Sequence, residues 1–466
     1  MGKRKANAPL RSGGFGRGLA VSLAGLRAGG AFAIDGALQR LRAGSENSAE
    51  TGDSEFLRRE ARRFVAELGR LKGTYVKIGQ MLALLGEHFL PRALTDALQE
   101  LNSATAPLPW SGIEPALRIS LGARFDELEI EQAAWAAASL AQVHRATVRA
   151  SGERICLKVQ YPGLADVIDS DFDTVVRMLV LARWLPAGRQ LDEWLEAMRL
   201  HLHYEIDYAR EARLGDAMAE HVAAAGNAPG GCRYHVPQRY PRYCASDVLA
   251  LEFIDGFRVT DPEVAALSQH RRNALGRGML ELFFRELYAW GLLQTDPNFG
   301  NYLIRSDARR REFVLLDFGS TLECDSTFLQ HLGGAIAAGQ RQDRGALLVS
   351  LIGLGCLSES SSAYARDTFV DFCFGLLEPL RPPAELPVEY LTANGDYRWG
   401  HSQLLRRAGK RAASSAASLD FATPSRDFAL IARKLTGVFT FIAVLDAEFN
   451  GHALAAQHIL RWQESR

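Results

Sequence analysis

The most informative residues of this chain are Gln294-Thr295-Asp296-Pro297-Asn298-Phe299-Gly300-Asn301, with Val314-Leu315-Leu316-Asp317-Phe318-Gly319 soon after them. Asp296 and Asn301 stand five apart, and Asp317 follows sixteen residues after Asn301. Short apolar runs at 302–304 and 313–316 flank a polar turn, the pattern of a two-stranded hairpin. These side-chain oxygens suit phosphoryl transfer. Moving a phosphoryl group from ATP requires Mg²⁺ to screen the phosphate oxygens, and hard Mg²⁺ takes hard oxygen ligands. It also requires a carboxylate near the attacking hydroxyl.

D-x-x-x-x-N and then D-F-G across a hairpin is the order protein kinases use. In that order Asp296 is the carboxylate beside the acceptor, and Asn301 and Asp317 are the Mg²⁺ ligands. The plainer alternative makes Asp296 a turn residue beside Pro297 and Asp317 a strand-end cap. Residues upstream weigh against it. Lys158 lies in the alternating run Ile155-Cys156-Leu157-Lys158-Val159, where a kinase keeps the lysine that holds the α- and β-phosphates. About twenty residues earlier, at the place of a glycine-rich loop, stand Ala136-Ala137-Ala138-Ser139-Leu140-Ala141-Gln142-Val143-His144. Alanine permits close backbone approach to phosphate, with less freedom at positive φ than glycine. Lys158 needs a carboxylate to hold it. Read as one helix, residues 204–212 put Asp207 and Glu211 on a shared face and turn Glu205 away, and an ordinary solvated acidic face is the other reading.

Around this centre the 466 residues allow one large two-lobed domain with extensions, or two to three average domains. Hydrophobic residues make up 47% and charged residues 23%, ample for a sizeable core. Lys plus Arg and Asp plus Glu number 54 each, so no general attraction to nucleic acid is expected. Six scattered cysteines form no CxxC pair and read as reduced thiols. Residues 1–53 read as a basic, Gly/Ala-rich leader and linker, either flexible or lying on an anionic bilayer. No stretch reaches the roughly 18 to 20 apolar residues of a membrane-spanning helix. Residues 54–110 carry helical periodicity through Phe56, Phe64, Leu68, Leu71, Tyr75 and Ile78. Short strands and a helical insertion fill 111–256, and 257–466 is mainly helical, with 408–418 expected to be mobile. The apolar stretches 329–338 and 435–445 face either membrane or core, and core is the expectation.

Together these residues resemble the UbiB family of atypical kinases, closest to its mitochondrial ubiquinone-linked branch. The landmarks are Lys77-Ile78-Gly79-Gln80 (KxGQ), Ala136-Ala137-Ala138-Ser139, Lys158-Val159-Gln160-Tyr161-Pro162-Gly163, and Glu205 with Asp207 (ExD). Gln294 to Asn298 (QTDPN), Asp317-Phe318-Gly319 and Arg433-Lys434 complete them. The resemblance implies an α+β fold, a two-lobe kinase-like body with an N-terminal helical KxGQ extension and a mostly helical C-lobe. It implies Asp296, Lys158 and Glu211 as catalytic residues, with Mg²⁺ held by Asn301 and Asp317. ATP would meet Ala136, Ala137, Ala138, Ser139, Gln142, Lys158 and Glu252. Lys77 and Gln80, with Glu205 and Asp207, would form a regulatory lid that keeps out long peptides; the absence of an APE tripeptide after Asp317 agrees. Many members carry DPHPGN where this chain has Asp296-Pro297-Asn298-Phe299-Gly300-Asn301, and Ile-Gly where it has Leu140-Ala141, which stiffens the loop and predicts slow turnover.

The expected function is a Mg²⁺-ATP-dependent ATPase or a kinase of small molecules or lipids, supporting ubiquinone biosynthesis. The expected partners are a lipid or quinone precursor, a peripheral membrane surface and quinone-biosynthesis enzymes. The membrane would be the cytoplasmic face in a bacterium or the mitochondrial inner membrane, on its matrix side, in a eukaryote. A pseudokinase-like scaffold that grips a lipid or partner under nucleotide control is the alternative.

Overall fold

In a computed structural model, the structure describes residues 50–71, 73–83, 90–99, 107–182, 184–185, 189–226, 231–307, 310–408 and 426–465. The expected leader through residue 49 and the stretch 409–418 lie outside them. The chain divides into two compact units, the first within 1–212 and 238–253, the second 213–237 and 254–466.

The first unit opens with helices α1 (Glu50–Leu71), α2 (Thr74–Leu82) and α3 (Arg92–Gln99). Their periodic apolar residues, Phe64, Leu68, Tyr75 and Ile78 among them, are buried together. Continuous periodicity hides the break between α1 and α2. There Gly73 takes φ 58°, a conformation that costs other residues strain. Helix α4 (Trp110–Leu121) has no counterpart in the sequence reading, because Pro109 and Pro115 look like breakers. In fact Pro109 sits at its N-cap and Ile113, Leu117 and Leu121 form a buried stripe at four-residue steps.

A sheet follows: β1 (Leu128–Ile130), β2 (Ala136–Ala137), β3 (Ala141–Val148) and β4 (Arg154–Gln160). Beyond it come α5 (Leu164–Leu181), α6 (Arg189–Ile206) and α7 (Tyr208–Ala225), the last continuing into the second unit. Strand β5 (Arg233–His235) belongs to the second unit, and β6 (Val248–Glu252) returns to the first. The sheet runs β1-β3-β4-β6, with β2 on β3, and every pairing is antiparallel. Alternation along β4 sends Ile155, Leu157 and Val159 into a core with α4, and Lys158 to the opposite face.

The second unit is built on α8 (Gln269–Phe284), which buries nearly all of its last two turns and so shows little amphipathic pattern. A π-helical turn, Arg285–Trp290, extends it. Next come β7 (Leu292–Gln294), β8 (Tyr302–Ser306), β9 (Arg311–Leu315) and β10 (Thr321–Glu323). Strands β8 and β9 form the expected hairpin, and β5 joins β9 in parallel. Strands β7 and β10 pair separately. The remaining helices are α9 (Ser326–Gln340), α10 (Arg344–Gly353), α11 (Ala363–Leu376), α12 (Arg426–Val444) and α13 (His452–Glu464). Leu329, Leu332 and Ile336 of α9, and Leu435, Val438, Phe439 and Ile442 of α12, lie in the core, as expected for both apolar stretches. All six cysteines are free thiols.

Candidate functional site

In the first unit, Lys158 Nζ meets both carboxylate oxygens of Glu211, at 2.7 and 2.9 Å. The lysine comes from the polar face of β4 and the glutamate, 3% exposed, from the first turn of α7. A buried carboxylate is costly unless paired, so this contact fixes the ammonium position. The aromatic face of Tyr208 lies 5.3 Å from the same ammonium.

The helix bearing Glu211 departs from the sequence reading. Residues 204–212 do not form one helix: α6 ends at Ile206, and Asp207 caps α7, its Oδ1 accepting the Arg210 N–H at 2.8 Å. Aspartate satisfies the unpaired amides of a helix start, which here outweighs helix continuity. Asp207 and Glu211 therefore share no helix face. Glu205 is the residue that Lys77 reaches, Nζ to Oε1 at 2.5 Å, between α2 and α6. Gln80 lies three residues beyond Lys77 on α2 and is half-buried.

The alanine-rich loop is the turn of the β2–β3 hairpin. Ala136 and Ala137 pair with Val143 and Gln142, the Ala138 N–H donates to the Ala141 carbonyl at 2.8 Å, and Ser139 lies within the turn. Tyr161 braces it from below: its hydroxyl donates to the Ala138 carbonyl at 3.1 Å, and its backbone N–H to the Leu140 carbonyl at 3.1 Å. Burial pushes the Tyr161 phenol up to about 12, which keeps it a donor. Gln142, expected at the nucleotide, is fully buried instead. Its Oε1 accepts the Leu108 N–H at 2.8 Å and its Nε2 lies 2.8 Å from His144 Nε2. His144 completes the brace through Nδ1 to the Glu131 carbonyl at 2.8 Å, and burial lowers its pKa, favouring the neutral ring. Both ends of the Gln142 amide thus serve the loop's support. Glu252, at the end of β6, accepts the Gln238 N–H at 3.2 Å while its own N–H donates to the Gln238 carbonyl at 2.7 Å.

In the second unit the β8–β9 hairpin assembles the other expected residues. One step beyond the ladder, the Leu316 N–H donates to the Asn301 carbonyl at 3.0 Å, setting Asn301 beside the start of Asp317-Phe318-Gly319. Asn301 Nδ2 donates to Asp296 Oδ2 at 3.1 Å, leaving Oδ1 as the hard oxygen that Mg²⁺ takes. Asp317 Oδ1 accepts the Gly319 N–H at 2.9 Å. Thr295 ties the two motifs together, its N–H and hydroxyl both meeting the Ser320 carbonyl at 2.8 Å. Among the described residues no three His, Cys, Asp or Glu side chains are grouped to hold a metal. One carboxylate and one amide oxygen suit an ion that completes its shell with phosphate and water oxygens.

Sequence reasoning missed how these residues are supported. Arg433 Nη2 lies 3.4 Å from Asp296 Oδ1. Lys434, 1% exposed, donates to Gln294 Oε1 at 2.8 Å and to the Tyr302 hydroxyl, with Glu286 at 3.5 Å. The Arg433-Lys434 pair was legible as a motif, but its destination 137 residues away was not.

A lysine of an antiparallel sheet held by a helical glutamate, together with D-x-x-x-x-N and DFG joined by a hairpin, defines a protein-kinase-like protein. Residues 100–349 match the ABC1 atypical kinase-like domain, and the chain belongs to that UbiB/AarF family. It is 29% identical to the atypical kinase COQ8, mitochondrial, of Saccharomyces cerevisiae, over 68% of this chain and 62% of that protein. It is 28% identical to COQ8B, mitochondrial, of Rattus norvegicus, over 76% of this chain and 64% of that one. The chain thus spans somewhat under two thirds of these relatives. The solved Rv3197–erythromycin complex from Mycobacterium tuberculosis has a TM-score of 0.58 at 23% identity, over 88% of this chain and 98% of that one, a likeness of fold.

Proposed function

We propose that this chain binds Mg²⁺-ATP and hydrolyses it, or passes its γ-phosphoryl group to a small molecule or lipid, in support of coenzyme Q biosynthesis at a membrane surface. The observation that carries the reading is the hairpin contact that sets Asn301 beside Asp317 while Asn301 also holds Asp296. Asn301 and Asp317 would hold Mg²⁺, and the ion would neutralise charge on the phosphate oxygens. Lys158, kept in place by Glu211, binds phosphate. Asp296 orients the attacking hydroxyl or water and accepts its proton, with Arg433 and Asn301 fixing the carboxylate. The backbone of the Ala138–Ala141 turn supplies amide contact to phosphate. The names of the mitochondrial relatives support the coenzyme Q setting.

The test is phosphate release from Mg²⁺-ATP by the purified chain, with and without anionic vesicles, beside Asp317→Asn. Losing a metal ligand should lower turnover by at least about 100-fold while the fold persists, judged by circular dichroism. Equal turnover in variant and parent would overturn the reading. A nucleotide-dependent thermal shift without phosphate release, even with vesicles, would favour a nucleotide-gated scaffold. The non-glycine turn of the alanine loop, braced by Tyr161, is what speaks for that second reading.

A further inference from the structure

Gln294 and Tyr302 flank the loop 295–301, which carries Asp296 and Asn301. They are joined across its neck, the Tyr302 hydroxyl donating to Gln294 Oε1 at 3.0 Å. That same Oε1 accepts from Lys434 Nζ at 2.8 Å, and the ammonium also reaches the Tyr302 oxygen. The Glu286 carboxylate, from the π-helical turn, stands 3.5 Å from Nζ and accepts the backbone N–H of Gln294. Lys434 and Glu286 are each 1% exposed. One turn along α12 from Lys434, Gly437 lies against the loop so closely that a Cβ there would fall 2.0 Å from the Pro297 Cβ.

Stability alone does not account for this cluster. Burying an ion pair costs more than packing apolar side chains of the same volume, so a buried lysine and glutamate are poor structural cement. What they supply is direction: donors and acceptors that fix both ends of a loop with no regular structure over most of its length. Resting on the Mg²⁺-ATP reading, we infer that Lys434 is a positioning residue. Through Gln294 and Tyr302 it closes the neck of the 295–301 loop and so sets the relation of Asp296 to Asn301. It touches neither nucleotide nor metal itself.

The test uses the full chain and the double variant Lys434→Met/Glu286→Gln, which leaves no unpaired buried charge and retains an acceptor for Gln294. The single variant Lys434→Met leaves the buried Glu286 without its cation and is measured only for comparison. The double variant should keep the parent's thermal midpoint to within a few degrees and its metal-free ATP affinity to within about twofold. Its kcat should fall on the order of 10- to 100-fold, the scale of a misplaced reacting group. Its affinity for Mn²⁺ in the presence of ATP, read by electron paramagnetic resonance, should fall with it. A folded double variant with the parent's kcat and Mn²⁺ affinity overturns the inference. If the parent binds Mn²⁺-ATP without turning it over, the enzymatic reading fails while the Mn²⁺ comparison still decides the role of Lys434. If the parent binds no Mn²⁺-ATP, both fall.

Discussion

Lys158 and Lys434 face different electrostatic problems. Lys158 keeps 20% of its side chain exposed and meets both oxygens of one carboxylate, an arrangement suited to the phosphate contact proposed for it. Lys434 is sealed, and burial lowers its pKa while pushing Glu286 up to about 7. Each charge partly offsets the other's burial. The consequence for stability has a definite sign. Glu286 holds its proton more tightly folded than unfolded, where its reference value is 4.5. The stability this contributes is complete below about pH 4.5 and is lost as pH rises through about 7. Urea unfolding of the parent and of Glu286→Gln across that window should show the parent losing ground to the variant, by up to about 3 kcal/mol. A constant difference from pH 4.5 to pH 8 would mean that Lys434 removes the whole burial effect.

Among the elements, α12 reaches the 295–301 loop and its neck with Arg433 and Lys434 from one turn and Gly437 from the next. Gly437→Ala tests the closeness of that packing. A Cβ 2.0 Å from Pro297 cannot be accommodated without moving helix or loop. We expect a loss of about 1–3 kcal/mol of stability and a fall in turnover larger than the fall in nucleotide affinity. Thermal unfolding and steady-state kinetics, measured together, would check this, and unchanged values would show that the loop yields freely. Where local spacing sufficed, the sequence was legible. Alternation in β4 located Lys158 on one face, and two apolar runs around a polar turn located the β8–β9 hairpin. It failed where a side chain chose a backbone partner over a neighbour on its own face. Asp207 reads as one more helical acid until its bond to the Arg210 amide is seen, and Gln142 reads as a loop residue until Leu108 is found beneath it. No periodicity encodes such choices.

For the whole molecule, charge balance argues for local attraction in place of a general field. The formal net charge is zero, yet the exposed side of α1 carries Arg58, Arg59, Arg62 and Arg63. Among the described residues no helix is long and apolar enough to cross a membrane. In the proposed membrane setting, these arginines should attract an anionic surface electrostatically. Co-sedimentation with anionic vesicles should weaken strongly between 0.1 and 1 M salt, as the Debye length shrinks from about 10 to about 3 Å. Binding that resists salt would point to apolar insertion instead.

The clasp formed by Lys434 also has a consequence in time. Lys434 lies 132 residues after Tyr302, whereas Asn301 and Asp317 meet through a local hairpin. A chain growing at 5–20 residues per second exposes the loop on the order of ten seconds before its clasp exists. Through that interval the nascent chain carries Asn301 and Asp317 without the contact that joins Gln294 and Tyr302 to Lys434, so on the role inferred for Lys434 the 295–301 loop takes its final arrangement only once α12 has been made.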